Sequence, residues 1–124
     1  MMKPQQDPVN TYPANIQRVI EAVLAPGGDS TPALRQRAMD YATVVSAGQT
    51  MTSPLPIAWQ SYIDTVTKHA YRTTDSQVEQ LKAAGHSEDA IFEMTIATAL
   101  GAGLARLACG LTAIAEANGG TSCD

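Results

Sequence analysis

The length, composition and charge of this chain exclude several classes of protein. It has 124 residues, which fits one domain built around a single core. The net charge is −4 and eight Lys and Arg residues are scattered along the chain, so no concentrated positive surface for nucleic acid is expected. Only 16% of the residues are charged, against the usual ~25%, which predicts that a partner covers part of the surface.

The N-terminal segment is predicted to be a flexible arm. Residues 1–14 carry three prolines and few apolar residues, and they lack the apolar region of a signal peptide. The uncharged stretch of the apolar last helix, Met94–Ala105, is shorter than the ~20 residues that a membrane span needs. We therefore expect a cytoplasmic protein that does not enter membranes.

Helix signals then follow in chain order. A first helix is predicted to begin with Asn15 as its cap and to stop at the Pro-Gly-Gly turn of residues 26–28. A second helix is predicted to begin from a Ser or Thr cap at residues 30–31. Pro32 lies in its first turn, and Gly48 ends it.

The middle of the chain contains the clearest local signal. After a loop at residues 49–56, a third helix is predicted to begin near Pro56 and to continue to Tyr71. The sequence Thr-Asp-Ser-Gln at residues 74–77 has the form of a capping box, with a hydroxyl at the cap and Gln three residues later. A short helix is expected to follow and to end at Gly85.

The last helix is predicted to run from Glu88 to Ala117 with Ser87 as its cap. It is apolar nearly all round, which is typical of a helix buried on most sides. Small residues recur at every fourth position: Ala97, Gly101, Ala105, Cys109 and Ala113. This row lets another helix approach closely, and a second subunit is expected to supply part of the cover. The single helical domain is expected to span residues 15–118, with a flexible tail at residues 119–124.

The segment from Lys68 to Leu111 resembles a known helical family. It reads KHAYRTTDSQVEQLKAAGHSEDAIFEMTIATALGAGLARLACGL. A helix ends in an Ala-Gly turn, a capped start follows, and a long helix rich in Ala and Gly comes next. This order of features resembles the AhpD-like, or carboxymuconolactone decarboxylase-like, family. The resemblance implies a compact all-α domain that assembles as a trimer or a trimer-based hexamer.

The same resemblance implies that one activity of the family is missing. Peroxidase members carry C-x-x-C followed four residues later by His, before the Ala-Gly turn. The matching positions in this chain are Ala70, Thr73 and Gln77. Thiol peroxidase chemistry needs a reactive thiolate and a resolving partner, and these residues supply neither. No residues of the decarboxylase branch are carried over.

The third helix offers a candidate ligand site. Trp59, Tyr62 and His69 recur at helical spacing on one face, which suits a small organic molecule with His69 as an acid–base group. The alternative is a core stripe with an exposed His at its end. His86, between a helix-ending Gly and a helix cap, is expected to face solvent.

Two charges on the apolar last helix also need partners. Glu93 and Arg106 are thirteen residues apart, about 20 Å along the helix, so they cannot pair with each other. Arg106 is expected to meet a carboxylate on another helix, on a neighbouring subunit or on a ligand.

No metal or cofactor is expected. The two His residues and the acidic residues form no closely spaced cluster of metal ligands. Cys109 lies in an apolar run and is expected to be a buried, unreactive thiol, and Cys123 is expected to be exposed near the C-terminus.

Three functions remain open at this point. The chain could bind a small acidic organic molecule through Trp59, Tyr62, His69 and Arg106. It could instead be a diverged structural or interaction protein without an active site. The third possibility is a decarboxylase- or lactone-type enzyme that uses a His, which rests on the family resemblance alone.

Overall fold

The computed structural model describes residues 12–117, and these residues form an all-α fold without strands. Within this range the helices are α1 (Ala14–Leu24), α2 (Pro32–Ser46), α3 (Ile57–His69), α4 (Asp75–Ala83) and α5 (Glu88–Ala115). A 3-10 turn, Ala70–Arg72, joins α3 to α4. The predicted all-α class is confirmed. Most of the predicted N-terminal arm, the predicted tail and Cys123 lie outside the described residues.

Most of the predicted helix starts are confirmed by their hydrogen bonds. The Thr31 side chain accepts from the backbone N–H of Leu34, and Ser87 caps α5 in the same way. Thr74 and Gln77 form the reciprocal capping box. The predicted cap of α1 was wrong. Asn15 lies inside the helix, and Pro13 precedes the helix without a side-chain cap, because its fixed φ suits an extended residue before a helix.

The core lies mainly between α2, α3 and α5. Trp59, Ile63 and Met94 are among its largest fully buried side chains. A smaller apolar cluster of Ile20, Met39 and Leu104 holds α1 against α2 and α5. Burial of these side chains supplies most of the free energy that keeps such a helical domain folded.

Helices α2 and α5 approach each other closely at Gly101. Gly101 is buried, and a Cβ at this position would overlap the backbone carbonyl oxygen of Met39. The Thr43 hydroxyl lies near both of these backbones, at 2.7 Å from the Met39 oxygen and 3.3 Å from the Gly101 oxygen.

The row of small residues on α5 is covered only in part within the chain. Ala97, Gly101 and Ala105 are buried, whereas Cys109 is half-buried and Ala113 is exposed, so cover by a second subunit stays a prediction for the end of the row. The row does allow a close helix approach as predicted, and α2 is the helix that packs on Gly101.

Candidate functional site

The aromatic residues of the predicted ligand site lie in the core. Trp59 is buried and its ring lies against His86, with 4.6 Å between the ring centroids. The Tyr62 hydroxyl shares a hydrogen bond of 2.8 Å with the Thr95 hydroxyl. His69 is exposed as the last residue of α3 and contacts Tyr71 edge-on. His86 is half-buried against Trp59, so its predicted exposure to solvent was wrong.

Arg106 does not share a site with these residues. It is exposed, and its Nη2 donates to the backbone oxygen of Thr67 at 3.0 Å. The premise that Arg106 is a buried charge was therefore wrong, and its guanidinium needs no carboxylate. Neither of the two clefts described below is lined by Trp59, Tyr62, His69 or Arg106.

Glu93 is held by a loop of its own chain. The loop between α1 and α2 turns through Gly27 and Gly28, whose φ angles of +108° and +82° favour glycine. The next backbone N–H groups, of Asp29 and Ser30, point at the Glu93 carboxylate from 3.0 Å and 2.8 Å. The Ser30 hydroxyl adds a third donor at 2.6 Å from Oε1. Successive N–H groups of this kind form a concave anion-binding turn.

Arg35, on α2, is the positively charged partner of Glu93. Its side chain is almost fully buried, and its Nη1 lies 3.3 Å from Glu93 Oε1. Its Nη2 donates to the Ala25 oxygen at 2.6 Å and to the Gly27 oxygen at 3.2 Å. The guanidinium therefore binds the loop backbone and the carboxylate at once, whereas Arg35 Nε is buried without a hydrogen-bond partner.

The charge state of Glu93 follows from these contacts. Burial raises the pKa of Glu93, but the hydrogen bonds from Ser30 and Asp29 and the charge of Arg35 outweigh burial and hold the pKa below its ordinary value. The side chain is ionised at neutral pH. The ion pair with Arg35 confirms that Glu93 needs a charged partner, and this partner lies in the same chain.

An apolar cleft of about 300 Å³ lies beside this pair. It is formed by the C-terminal half of α1, the following turn and the first turns of α5. Its walls include Val23, Phe92 and Ile96, and Arg35 and Glu93 provide its charged groups. Small-molecule sites share this pattern of apolar walls with few polar groups, and this cleft is at the small end of their range.

Sequence reasoning missed Arg35 as a site residue. A signal was present, because Leu34, Ala38 and Ala42 recur at helical spacing and Arg35 falls on the same apolar face of α2. A charge at such a position must be paired, in the same way as Glu93. Two lone charges on apolar helix faces were thus a candidate ion pair.

A second, more polar cleft adjoins α3. Its volume is about 410 Å³, and Tyr41 and Asp64 are among the residues that line it. The Tyr41 hydroxyl donates to Asp64 Oδ1 at 2.6 Å, and Lys68 Nζ lies 3.1 Å from the same oxygen. Burial raises the pKa of Asp64, but these hydrogen bonds and nearby positive charges hold it below its ordinary value. Burial, and then the Asp64 carboxylate, raise the pKa of Tyr41 to about 12.

The Tyr41–Asp64 bond predicts a loss of stability in alkali. The folded pKa of Tyr41 lies above the unfolded value of 10.0, so its contribution is complete below pH 10 and is lost as the pH rises toward about 12. We expect Tyr41→Phe to reduce this loss in urea unfolding curves recorded across that range. Tyr71→Phe, at an exposed position, is the control. Equal curves for Tyr41→Phe and the unaltered chain would contradict the assignment.

The C-terminal third of α5 projects from the rest of the described structure. Between residues 106 and 117 every residue is exposed except Cys109, which is half-buried. Among these residues Leu107, Leu111 and Ile114 are large and apolar. The exposed Phe92 and Ile96 lie on the same broad face of the helix as these three residues. Neighbouring members of the set are three, four or eleven residues apart, which are whole numbers of helical turns to within a fraction of a turn.

Two glycines lie on the same face of α5. Gly103 and Gly110 are exposed, and a Cβ at either position would meet no atom within 4 Å. Glycine inside a helix costs about 1 kcal/mol relative to alanine. Within the described chain, no packing contact explains this cost.

The described residues hold no group of three or more His, Cys, Asp or Glu side chains placed to bind a metal ion. Cys109 is disulfide-bonded, so the buried free thiol expected from the sequence was wrong. Within residues 12–117, α5 is long and apolar enough to cross a membrane by length and composition. The central helices of soluble helical proteins share these properties.

Comparison of the chain with protein-family models, curated proteins and solved structures gives no match.

Proposed function

We propose that this chain is a self-associating helical protein, related to the AhpD-like or carboxymuconolactone decarboxylase-like family and without thiol peroxidase activity. The observation that carries the proposal is the projecting end of α5, which has no charged side chain from Leu107 to Ala115. Its exposed side chains include Ile114 at 73% and Leu111 at 57% exposure. Exposed apolar surface of this extent is typical of an interaction site.

The expected partner is a second copy of the same chain. From Leu107 to Ile114 the face contains no charge that calls for a complementary partner, and apolar faces of this kind match themselves. Gly103 and Gly110 are seven residues apart, two helical turns, and leave room for a second helix to approach along the face. Burying Leu111 and Ile114 between copies gains at least about 1 kcal/mol for each side chain. The resemblance at residues 68–111 favours a trimer or a trimer-based hexamer.

The residues aligned with the peroxidase motif support the non-redox part of the proposal. Ala70 is the first residue of the 3-10 turn, Thr73 follows the turn, and Gln77 is engaged in the capping box. These positions carry no thiol or imidazole. Binding of an acidic molecule through Arg106, and decarboxylase- or lactone-type chemistry, stay predictions of the sequence.

The test compares two lysine variants at exposed positions of α5. The double variant Leu111→Lys/Ile114→Lys places charge on the proposed interface, whereas Thr112→Lys places it on the opposite side of the same exposed helix end. Substitutions at exposed sites change stability by less than about 0.5 kcal/mol, so both variants should fold. We expect the unaltered chain and Thr112→Lys to sediment as oligomers at micromolar concentration and the double variant as a monomer.

Two results would count against self-association. The first is a monomer for the unaltered chain at about 10 µM, a concentration at which interfaces of ordinary size are populated. The second is an oligomer that both lysine variants keep, because the contact would then lie elsewhere. Co-sedimentation of the unaltered chain with lipid vesicles, lost in the double variant, would assign the same face to a membrane instead.

A further inference from the structure

A polar oxygen faces the apolar cleft between α1 and α5. Glu93 Oε1 accepts from Ser30, from Asp29 and from Arg35, whereas Oε2 shares only the Asp29 N–H. A carboxylate oxygen has two lone-pair directions, so Oε2 can accept a further hydrogen bond. The Glu93 side chain is 20% exposed and lines the cleft, so a molecule in the cleft can reach it.

The charges around the cleft select the kind of ligand. Arg35 could in principle attract an anion, but its Nη atoms already donate to Ala25, Gly27, Ser30 and Glu93. Its Nε is buried. The accessible charge is therefore the Glu93 carboxylate. A donor, and above all a cationic donor, is complementary to it.

The remaining walls define the rest of the ligand. Val23, Pro26 and Ile96 offer aliphatic surface, and the ring of Phe92 is 66% exposed at the cleft. An aromatic ring attracts cations at its face as well as apolar groups. The volume of about 300 Å³ limits the ligand to a small molecule.

We propose that the cleft between α1 and α5 binds a small organic amine, whose ammonium group donates to Glu93 Oε2 and whose apolar body lies against Val23, Phe92 and Ile96. This site is distinct from the projecting end of α5. It therefore does not depend on self-association, and the monomeric double variant retains it.

The test uses benzylamine as the probe and benzoate as its anionic counterpart. Both are titrated into the full chain and into Leu111→Lys/Ile114→Lys, with binding followed by NMR shifts of Val23, Phe92 and Ile96. Ala22→Trp fills the cleft without touching the carboxylate, and Ala83→Trp, exposed on α4, is the control. We expect benzylamine to bind about tenfold more tightly than benzoate, a difference of one charge-assisted contact, in the full chain and the double variant. Binding should be lost in Ala22→Trp and kept in Ala83→Trp.

Three results would overturn the proposal. Benzoate binding as tightly as benzylamine would show that the Glu93 carboxylate does not select the ligand. Binding that persists in Ala22→Trp would place it outside the cleft. Absence of benzylamine binding in the full chain would also overturn the proposal. This holds even if the double variant binds benzylamine, because the cleft would then be covered in the assembled protein. Failure of self-association leaves the expected result in the double variant unchanged.

Discussion

Replacing Glu93 with alanine is expected to lower the free energy of unfolding by about 3–5 kcal/mol, the usual cost of leaving a buried charge without its partner. Arg35 is only 4% exposed and would retain its charge. The N–H groups of Asp29 and Ser30 would also lose their acceptor. This loss is a large part of the ~5–15 kcal/mol that stabilises a typical domain. Urea unfolding followed by circular dichroism measures it.

The double variant Glu93→Ala/Arg35→Met keeps this prediction testable if Glu93→Ala fails to fold. Methionine fills part of the arginine volume without its charge, so the double variant should be more stable than Glu93→Ala alone. Glu79→Ala is the control, because Glu79 is exposed in a surface ion pair and its loss should cost less than about 0.5 kcal/mol. Equal stability of Glu93→Ala and Glu79→Ala would mean that the loop does not hold Glu93.

The effect of Glu93→Ala should also depend on pH. The folded pKa of Glu93 is lowered, so its contribution is present above the ordinary value of 4.5 and is lost as the pH falls below it. The stability difference between Glu93→Ala and the unaltered chain should therefore narrow in acid. A difference that stays constant from pH 7 to acid would argue against the ionised pair.

Gly101→Ala is expected to have the second-largest effect, a loss of about 1–3 kcal/mol from overpacking. The new Cβ would overlap the Met39 backbone, and backbone cannot move aside as the end of a flexible side chain can. Thermal or urea unfolding in the Leu111→Lys/Ile114→Lys background, which we expect to be monomeric, isolates this effect from assembly.

Gly103→Ala provides the matched control in the same background. The site is two residues away on the same helix and opens onto free space. There the substitution should raise stability by about 0.5–1 kcal/mol, the helix preference of alanine over glycine. If Gly101→Ala stabilised the chain to the same extent, α2 and α5 would not be in the close contact described above.

Local features of the fold were predictable from the sequence because their causes are local. The capping box at residues 74–77 and the caps Thr31 and Ser87 each depend on residues within one turn. The failure at Asn15 has the same origin, since Pro13 two residues earlier competes for the start of α1.

The faces of α5 were not predictable in this way. The small residues Ala97, Gly101 and Ala105 are buried and Gly101 packs against α2, whereas Gly103 and Gly110 face outward. All five are glycine or alanine, so residue type alone does not show which of them the chain itself covers. That choice depends on where α2 docks, which is a property of the whole fold.

The candidate site was predicted in part. The need of Glu93 for a partner followed from its place on an apolar helix, but the partner Arg35 is 58 residues away. Trp59 and Tyr62 are buried in the core, which matches the alternative of a core stripe with an exposed His69. Side chains at helical spacing therefore predicted burial correctly and did not predict a cleft.

The pairing of α2 with α5 also bears on how the chain folds. The bonds that join these helices, Arg35 to Glu93 and Thr43 to Gly101, each connect residues 58 positions apart. Helices α3 and α4 lie between them in the chain, so this whole segment must be closed into a loop before the central pair can form. Helical proteins fold fastest when their contacts are local. We therefore expect the docking of α5 onto α2, rather than the formation of the individual helices, to limit the folding rate.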